Sequence, residues 1–228
     1  MSHSTLSKAL MLGLAIANIA IGQEWTRFRG PNGQGISEAK TIPVRWTDQD
    51  YNWTTTLPAG GHSAPVIWDK RVFVTCEDPA SPGGILLALN TETGRILWQK
   101  AYGLTGYRFH DDNSYAVATP VVDADYVYVL WQTAKETILA ALDHTGHEVW
   151  RRDFSGVYSR FGPGPSPAVI DDIVVFAHEH RENDKGIKAC GLPWTERRGK
   201  YDGTPSDRTV RSPIRHPAPM PLQQVNSS

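Results

Sequence analysis

An eleven-residue stretch of the chain is repeated about fifty residues later. Ala88-Leu89-Asn90-Thr91-Glu92-Thr93-Gly94-Arg95-Ile96-Leu97-Trp98 returns as Ala141-Leu142-Asp143-His144-Thr145-Gly146-His147-Glu148-Val149-Trp150, one residue shorter in the turn. A second element precedes each copy: Ser63-Ala64-Pro65-Val66-Ile67 leading to Val72-Phe73-Val74, and Ala118-Thr119-Pro120-Val121-Val122 leading to Val127-Tyr128-Val129. That element occurs a third time, as Ser166-Pro167-Ala168-Val169-Ile170 leading to Val174-Val175-Phe176. β-Branched and aromatic runs of this kind favour a pleated, buried surface. The apolar run Leu86–Leu89 ends at Asn90, polar residues and Gly94 supply a turn, and Arg95-Ile96-Leu97-Trp98 returns as the second arm of a hairpin. Residues 139–150 follow the same plan.

The prolines that open the units are spaced 55 and 47 residues apart. Several short strands in a period of roughly 40 to 50 residues are the signature of a β-propeller blade. The Ala-Leu-Asn/Asp segment, the Thr-Gly turn and the closing Trp resemble the pyrroloquinoline-quinone-like (PQQ-like) β-propeller repeat family of the quinoprotein alcohol dehydrogenase-like superfamily, over about residues 25 to 180. The resemblance implies that Trp98 and Trp150 dock between neighbouring blades and that Gly94 and Gly146 shape the hairpin turns. The expected fold is all-β: a partial propeller of about two and a half to three four-stranded antiparallel blades, with a signal peptide and a disordered C-terminal tail.

Four regions follow from composition. Residues 1–22 read as a secretory signal peptide, with Lys8 before an apolar run of 14 residues from Ala9 to Gly22. Such a run is too short to span a bilayer comfortably and ends on small residues suited to cleavage near Gly22. Export to the periplasm or the extracellular space is the expectation, with no stable membrane span. Residues 23–62 form an N-terminal extension, in which Trp25 through Gly35 looks like the opening of secreted PQQ-like repeat proteins and Asn52 to Leu57 reads as an extended strand that could complete the last blade of a closed ring. Residues 63–182 hold the blades. Residues 183–228 lose apolar periodicity and carry prolines at 193, 205, 213, 217, 219 and 221.

That last region has a second reading. Taken in a neighbouring frame, with codons chosen freely, Leu192 through Pro217 can give Ala-Leu-Asp-Arg-Lys-Thr-Gly-Lys-Ile-Arg-Trp and, after a short stretch, Ser-Thr-Pro. The single Trp codon at Trp194-Thr195 forces the Asp. The expectation is a frame-shifted tail on a truncated propeller, with an ordinary disordered tail as the alternative. A truncated propeller leaves open flanks, so self-association through blade edges follows.

Chemistry is sparse. A formal net charge of −1 gives no basic field for nucleic acid. The two cysteines, Cys76 and Cys190, make no disulfide framework, and Cys76 reads as a small apolar strand residue. No nucleophile elbow, His-Glu-x-x-His or kinase set occurs, and Gly30 to Gly35 lacks the strand and helix of a phosphate loop. The weak metal candidates are His178 and His180, which share a face if the strand continues, and His110 in the polar run Arg108 to Tyr115. The bland reading makes these a pair of edge histidines and a solvated turn, and His62 a loop residue.

No catalytic or cofactor-binding residue is assigned and no cofactor is expected. The resulting expectation is an exported, non-catalytic scaffold. It would bind a protein or peptide through loops such as Tyr107 to Tyr115 and Tyr158 to Pro165, as related propellers do, including one in outer-membrane protein assembly. The alternative is a piece of a quinoprotein alcohol or sugar dehydrogenase using PQQ with calcium, although the adjacent cysteines usual in those enzymes are missing here.

Overall fold

Three antiparallel sheets follow one another along the chain in the computed structural model, which describes residues 24–40, 42–108, 110–157, 164–171 and 173–178 and the backbone of 188–192. The signal-peptide region, His180 and the tail after Leu192 lie outside the described residues, as does most of the Tyr158–Pro165 loop. The first sheet is β1 (Val66–Trp68), β2 (Arg71–Glu77), β3 (Gly83–Asn90) and β4 (Ile96–Gly103), in that order. The second repeats it with β5 (Val121–Val122), β6 (Tyr126–Gln132), β7 (Glu136–Asp143) and β8 (Glu148–Ser155). The third contains β9 (Ala168–Ile170), β10 (Ile173–His178) and β11 (Lys188–Leu192). The fold is thus all-β, built of partial propeller blades. Two of the expected four-stranded blades have all four strands, and the third has three among the described residues. Strand β11 lies inside the segment read from sequence as an irregular tail. Its Lys-Ala-Cys-Gly-Leu run carries little apolar signal, and pairing with β10 places it.

Each sheet is a meander, because its hairpins are too short for any crossover. The sheets stack through their faces, and their inner strands β1, β5 and β9 run side by side. Phe73, Leu86 and Ala88 of the first sheet pack on Val127, Trp131 and Ile138 of the second. Tyr128, Leu130 and Leu139 on the other face of the second sheet meet Val174 and Phe176 of the third. Burying each such large side chain contributes about 1.5–3 kcal/mol. Strands β3 and β7 are covered on both faces, which is why they read as unbroken apolar runs instead of alternating.

The hairpins repeat in detail. Asn90 Oδ1 accepts from the amides of Glu92 and Thr93, and Asp143 Oδ1 accepts from those of Thr145 and His147. These side chains mimic a backbone turn and hold Gly94 and Gly146 at φ +68° and +94°. Both returning strands then bulge at the same place. Ala88 opposes Trp98 while Leu89 opposes Ile96, and Ala141 opposes Trp150 while Leu142 opposes Glu148. The extra residues, Leu97 and Val149, are left exposed, and the tryptophan after each is re-aimed toward the next sheet.

Ahead of the sheets, residues 24–26 lie along the inner strands. Trp25 exchanges backbone hydrogen bonds with Ile67 at 3.2 and 2.8 Å, and Thr26 O accepts from Val122 N at 2.9 Å. The extension therefore ties β1 to β5. Asn52 lies in a bend, and residues 53–57, expected to form an extended strand, belong to no sheet among the described residues.

Candidate functional site

The two ends of the sheets differ in kind. At one end lie the β1–β2 and β3–β4 turns and their counterparts, short and packed by tryptophan. Trp98 Nε1 donates to His144 O at 3.0 Å, and its ring lies so close to Gly146 that a Cβ there would sit 2.8 Å from it. Trp53 does the same one sheet earlier: Nε1 donates to Thr91 O at 2.8 Å, and a Cβ on Gly94 would sit 2.4 Å from its ring. Thr55 Oγ1 adds a bond to Gly94 O at 2.6 Å. The repeat logic singled out Trp98 and Gly146 but overlooked Trp53, because no Ala-Leu-Asp or Thr-Gly precedes it. Trp150 is buried against Tyr128, with Arg152 over its ring at 5.9 Å. These are packing sites.

The opposite end carries the β2–β3 and β6–β7 turns, 78–82 and 133–135, and the long connection 104–120, and it is the candidate binding face. Its loops are ordered by side chains. Leu104 N donates to Pro82 O and Val157 N to Thr133 O, both at 2.9 Å, so each outer strand hands its loop to the same neighbour in both sheets. Tyr107 N donates to Tyr115 Oη at 3.1 Å, and Tyr115 N donates to a Glu77 carboxylate oxygen at 3.1 Å. Thr105 N donates to Glu136 Oε1. His62 Nδ1 and Ser114 Oγ are 2.9 Å apart, while His62 N donates to Ala116 O. Ser114 is 4% exposed, so this His–Ser contact pins a loop and presents no accessible nucleophile. Arg108, His110, Asp111 and Asp112 point into solvent around this frame.

A second set of bonds runs from sheet to sheet beneath the loops. Ala64 N donates to Thr119 Oγ1 at 2.9 Å, and Thr119 N donates to Ser166 Oγ at 3.0 Å. Residues 64, 119 and 166 each precede the opening proline of their unit. The hydroxyl of one unit thus receives the amide of the unit before it.

His110 and His178 lie in different settings, and His180 is outside the described residues. His110 Nδ1 accepts from Asp112 N at 3.2 Å in an exposed turn. His178 is 6% exposed, with its ring 6.1 and 6.3 Å from those of Phe154 and Phe176. Cys76 is buried within β2, and burial first, then Asp78 and Glu77, push its thiol up against an opposing backbone hydrogen bond from Ala59. Among the described residues no three His, Cys, Asp or Glu side chains converge as a metal site.

Residues 44–106 match a family model described as outer membrane protein assembly factor BamB. No curated protein matches the chain. Among solved structures, quinohemoprotein alcohol dehydrogenase ADHIIG from Pseudomonas putida HK5 is similar with TM-score 0.51 and 20% identity, over 75% of this chain and 25% of that one. BamB from Moraxella catarrhalis aligns with TM-score 0.43 and 22% identity, over 64% of this chain and 37% of its own. The chain thus spans well under half the length of either structure. No helix among the described residues is long and apolar enough to cross a membrane. The family model thus covers residues 44–106, and the chain shares the β-propeller fold of the quinohemoprotein alcohol dehydrogenase.

Proposed function

We propose that the chain is an exported, non-catalytic binding scaffold whose loop end takes up a protein or peptide. The observation that carries this reading is the Tyr107–Tyr115 connection. It is braced from below by Tyr115, Glu77 and Ser114 and turns Arg108, His110 and two aspartates outward. A braced loop with an exposed polar rim loses little conformational freedom on binding, which favours recognition of an extended or folded polypeptide. The match of residues 44–106 to a family model named for an assembly factor supports a protein as the partner class.

The fold shared with a quinohemoprotein dehydrogenase supports the second reading, a piece of a quinoprotein oxidoreductase. One pair of assays separates them. The immobilised chain is exposed to a library of extended peptides, and bound species are re-tested on an Arg108→Ala/His110→Ala double variant. In parallel the chain is incubated with PQQ and calcium and assayed for alcohol-dependent dye reduction. The scaffold reading expects saturable binding weakened at least about tenfold in the variant, which corresponds to about 1.4 kcal/mol. Reproducible turnover in the dye assay overturns it.

A further inference from the structure

We propose that the chain assembles head to tail with a second copy of itself, residues 53–57 of one copy forming the fourth strand of the third sheet of the other.

The placement of Trp53 carries the argument. It sits on the Gly94 turn as Trp98 sits on the Gly146 turn, with the same indole-to-carbonyl bond and the same contact at a left-handed glycine. Trp98 belongs to the outermost strand of the sheet before Gly146. By the same geometry Trp53 occupies the outermost strand of a sheet standing before the first one. Leu57, continuing that segment, packs on the first sheet's far face with Cys76, Leu87 and Leu89. Yet residues 53–57 pair with no strand among the described residues. A segment whose backbone enters no ladder among the described residues is a template for another strand.

The other end of the stack has the converse shape. The third sheet ends, among the described residues, at β11, one strand short of its siblings. Its face away from the second sheet carries Val175 and Ala177, which are partly exposed, and Ile173, 37% exposed at the edge. Their register counterparts in the first sheet, Phe73 and Thr75, are 0% and 2% exposed because the second sheet covers them. Among the described residues, one end thus has a segment without a sheet, and the other has a sheet with no fourth strand and a partly exposed apolar face. A second copy supplies both at once. Two copies double the three sheets of one chain, which falls within the roughly 4–8 blades of closed propellers. Head-to-tail contacts of this kind can close into a ring.

Register makes the proposal specific. Val74 opposes Leu87, and Phe176 opposes Cys190 in the equivalent strands, so Cys190 stands where Leu87 does. Leu87 opposes Gln99, the residue after Trp98. Thr54, the residue after Trp53, therefore faces Cys190 of the other copy. Opposed residues in antiparallel strands have Cα atoms about 4.5–5.5 Å apart, within the span of a disulfide.

The full chain is examined by sedimentation across the micromolar range, and the Thr54→Cys variant is oxidised with diamide and run with and without reductant. The expected results are a species of twice the chain mass and a reduction-sensitive cross-linked dimer that disappears when Cys190→Ser is added. Ile173→Lys, at an exposed site, is expected to restore the single-chain mass with unchanged far-ultraviolet circular dichroism. Single-chain mass at all concentrations with no cross-link overturns the proposal, as it would if residues after Leu192 of the same chain fill the edge. So does a cross-link indifferent to Cys190→Ser, or a dimer indifferent to Ile173→Lys.

Discussion

Gly146 combines two demands that only glycine meets. Its φ of +94° excludes comfortable L side chains, and an added Cβ would press on Trp98 at 2.8 Å. Gly146→Ala is therefore expected to lower unfolding free energy by about 1–3 kcal/mol, read from the urea midpoint. Gly103→Ala is the matched control, because a Cβ there meets nothing within 4 Å; its effect should stay within about 0.5 kcal/mol. The neighbouring His144 gives a pH signature. Its ring lies 5.8 Å from Phe73, and Nε2 is 2.9 Å from Asp123 O. Burial first, then the Arg71 charge, hold its pKa below the ordinary value, against Asp143 and Asp125. Above about pH 6.5 both folded and unfolded chains carry it neutral. As pH falls below that, the unfolded chain takes up the proton first, so stability is lost until the folded pKa is passed. Asp143 acts elsewhere. Burial pushes its carboxyl up, but hydrogen bonds from Thr145 and His147 prevail and bring it below the usual carboxylate value, so its loss belongs below about pH 4. Urea midpoints between pH 7.5 and 5.5 should fall for the native chain and flatten in His144→Gln.

Between single residues and the whole stand the links from sheet to sheet. Thr119 is 1% exposed, and its hydroxyl accepts the amide of Ala64. Thr119→Val keeps the shape and removes the acceptor, leaving a partly buried donor unserved, which costs about 1–3 kcal/mol. Thr119→Ser keeps the acceptor and should recover most of that loss, apart from the missing methyl. Thermal melts of the three proteins check the order. The sequence carried the elements well where pattern and physics coincide: β2, β3, β6 and β7 are apolar enough, and Asn90–Gly94 and Asp143–Gly146 turn-like enough, to place both hairpins. Other features have no local code. The bulges at Leu97 and Val149 arise from how a strand must bend to seat the tryptophan on its neighbour. Trp53 lacks its hairpin, and only its contact with Gly94 shows what it does. At the loop end, the His62–Ser114 and Glu77–Tyr115 bonds join residues far apart in sequence, so composition alone could suggest polarity there but not the bracing.

At the scale of the molecule, the row of pre-proline hydroxyls contains one gap, and the gap falls where the proposed assembly joins. Thr119 and Ser166 each offer a hydroxyl to the amide of the unit before them, whereas the first unit has Ala64 in that place. Within one copy the omission costs nothing, since no sheet among the described residues stands ahead of the first. In a head-to-tail pair, the first sheet of one copy follows the third sheet of the other, and the Ser166 amide would look toward residue 64 for its acceptor. Ala64→Thr should then leave the stability of the dilute single chain within about 0.5 kcal/mol of native, as a partly exposed substitution outside the core. It should tighten assembly by about 0.5–1.5 kcal/mol, the net worth of one hydrogen bond, or about two- to tenfold in dissociation constant. Sedimentation across a dilution series measures both quantities. Equal dissociation constants for the two proteins would place the joint somewhere other than beside the first sheet, whereas tightening confined to the assembled state would show that the hydroxyl row continues from one copy into the next.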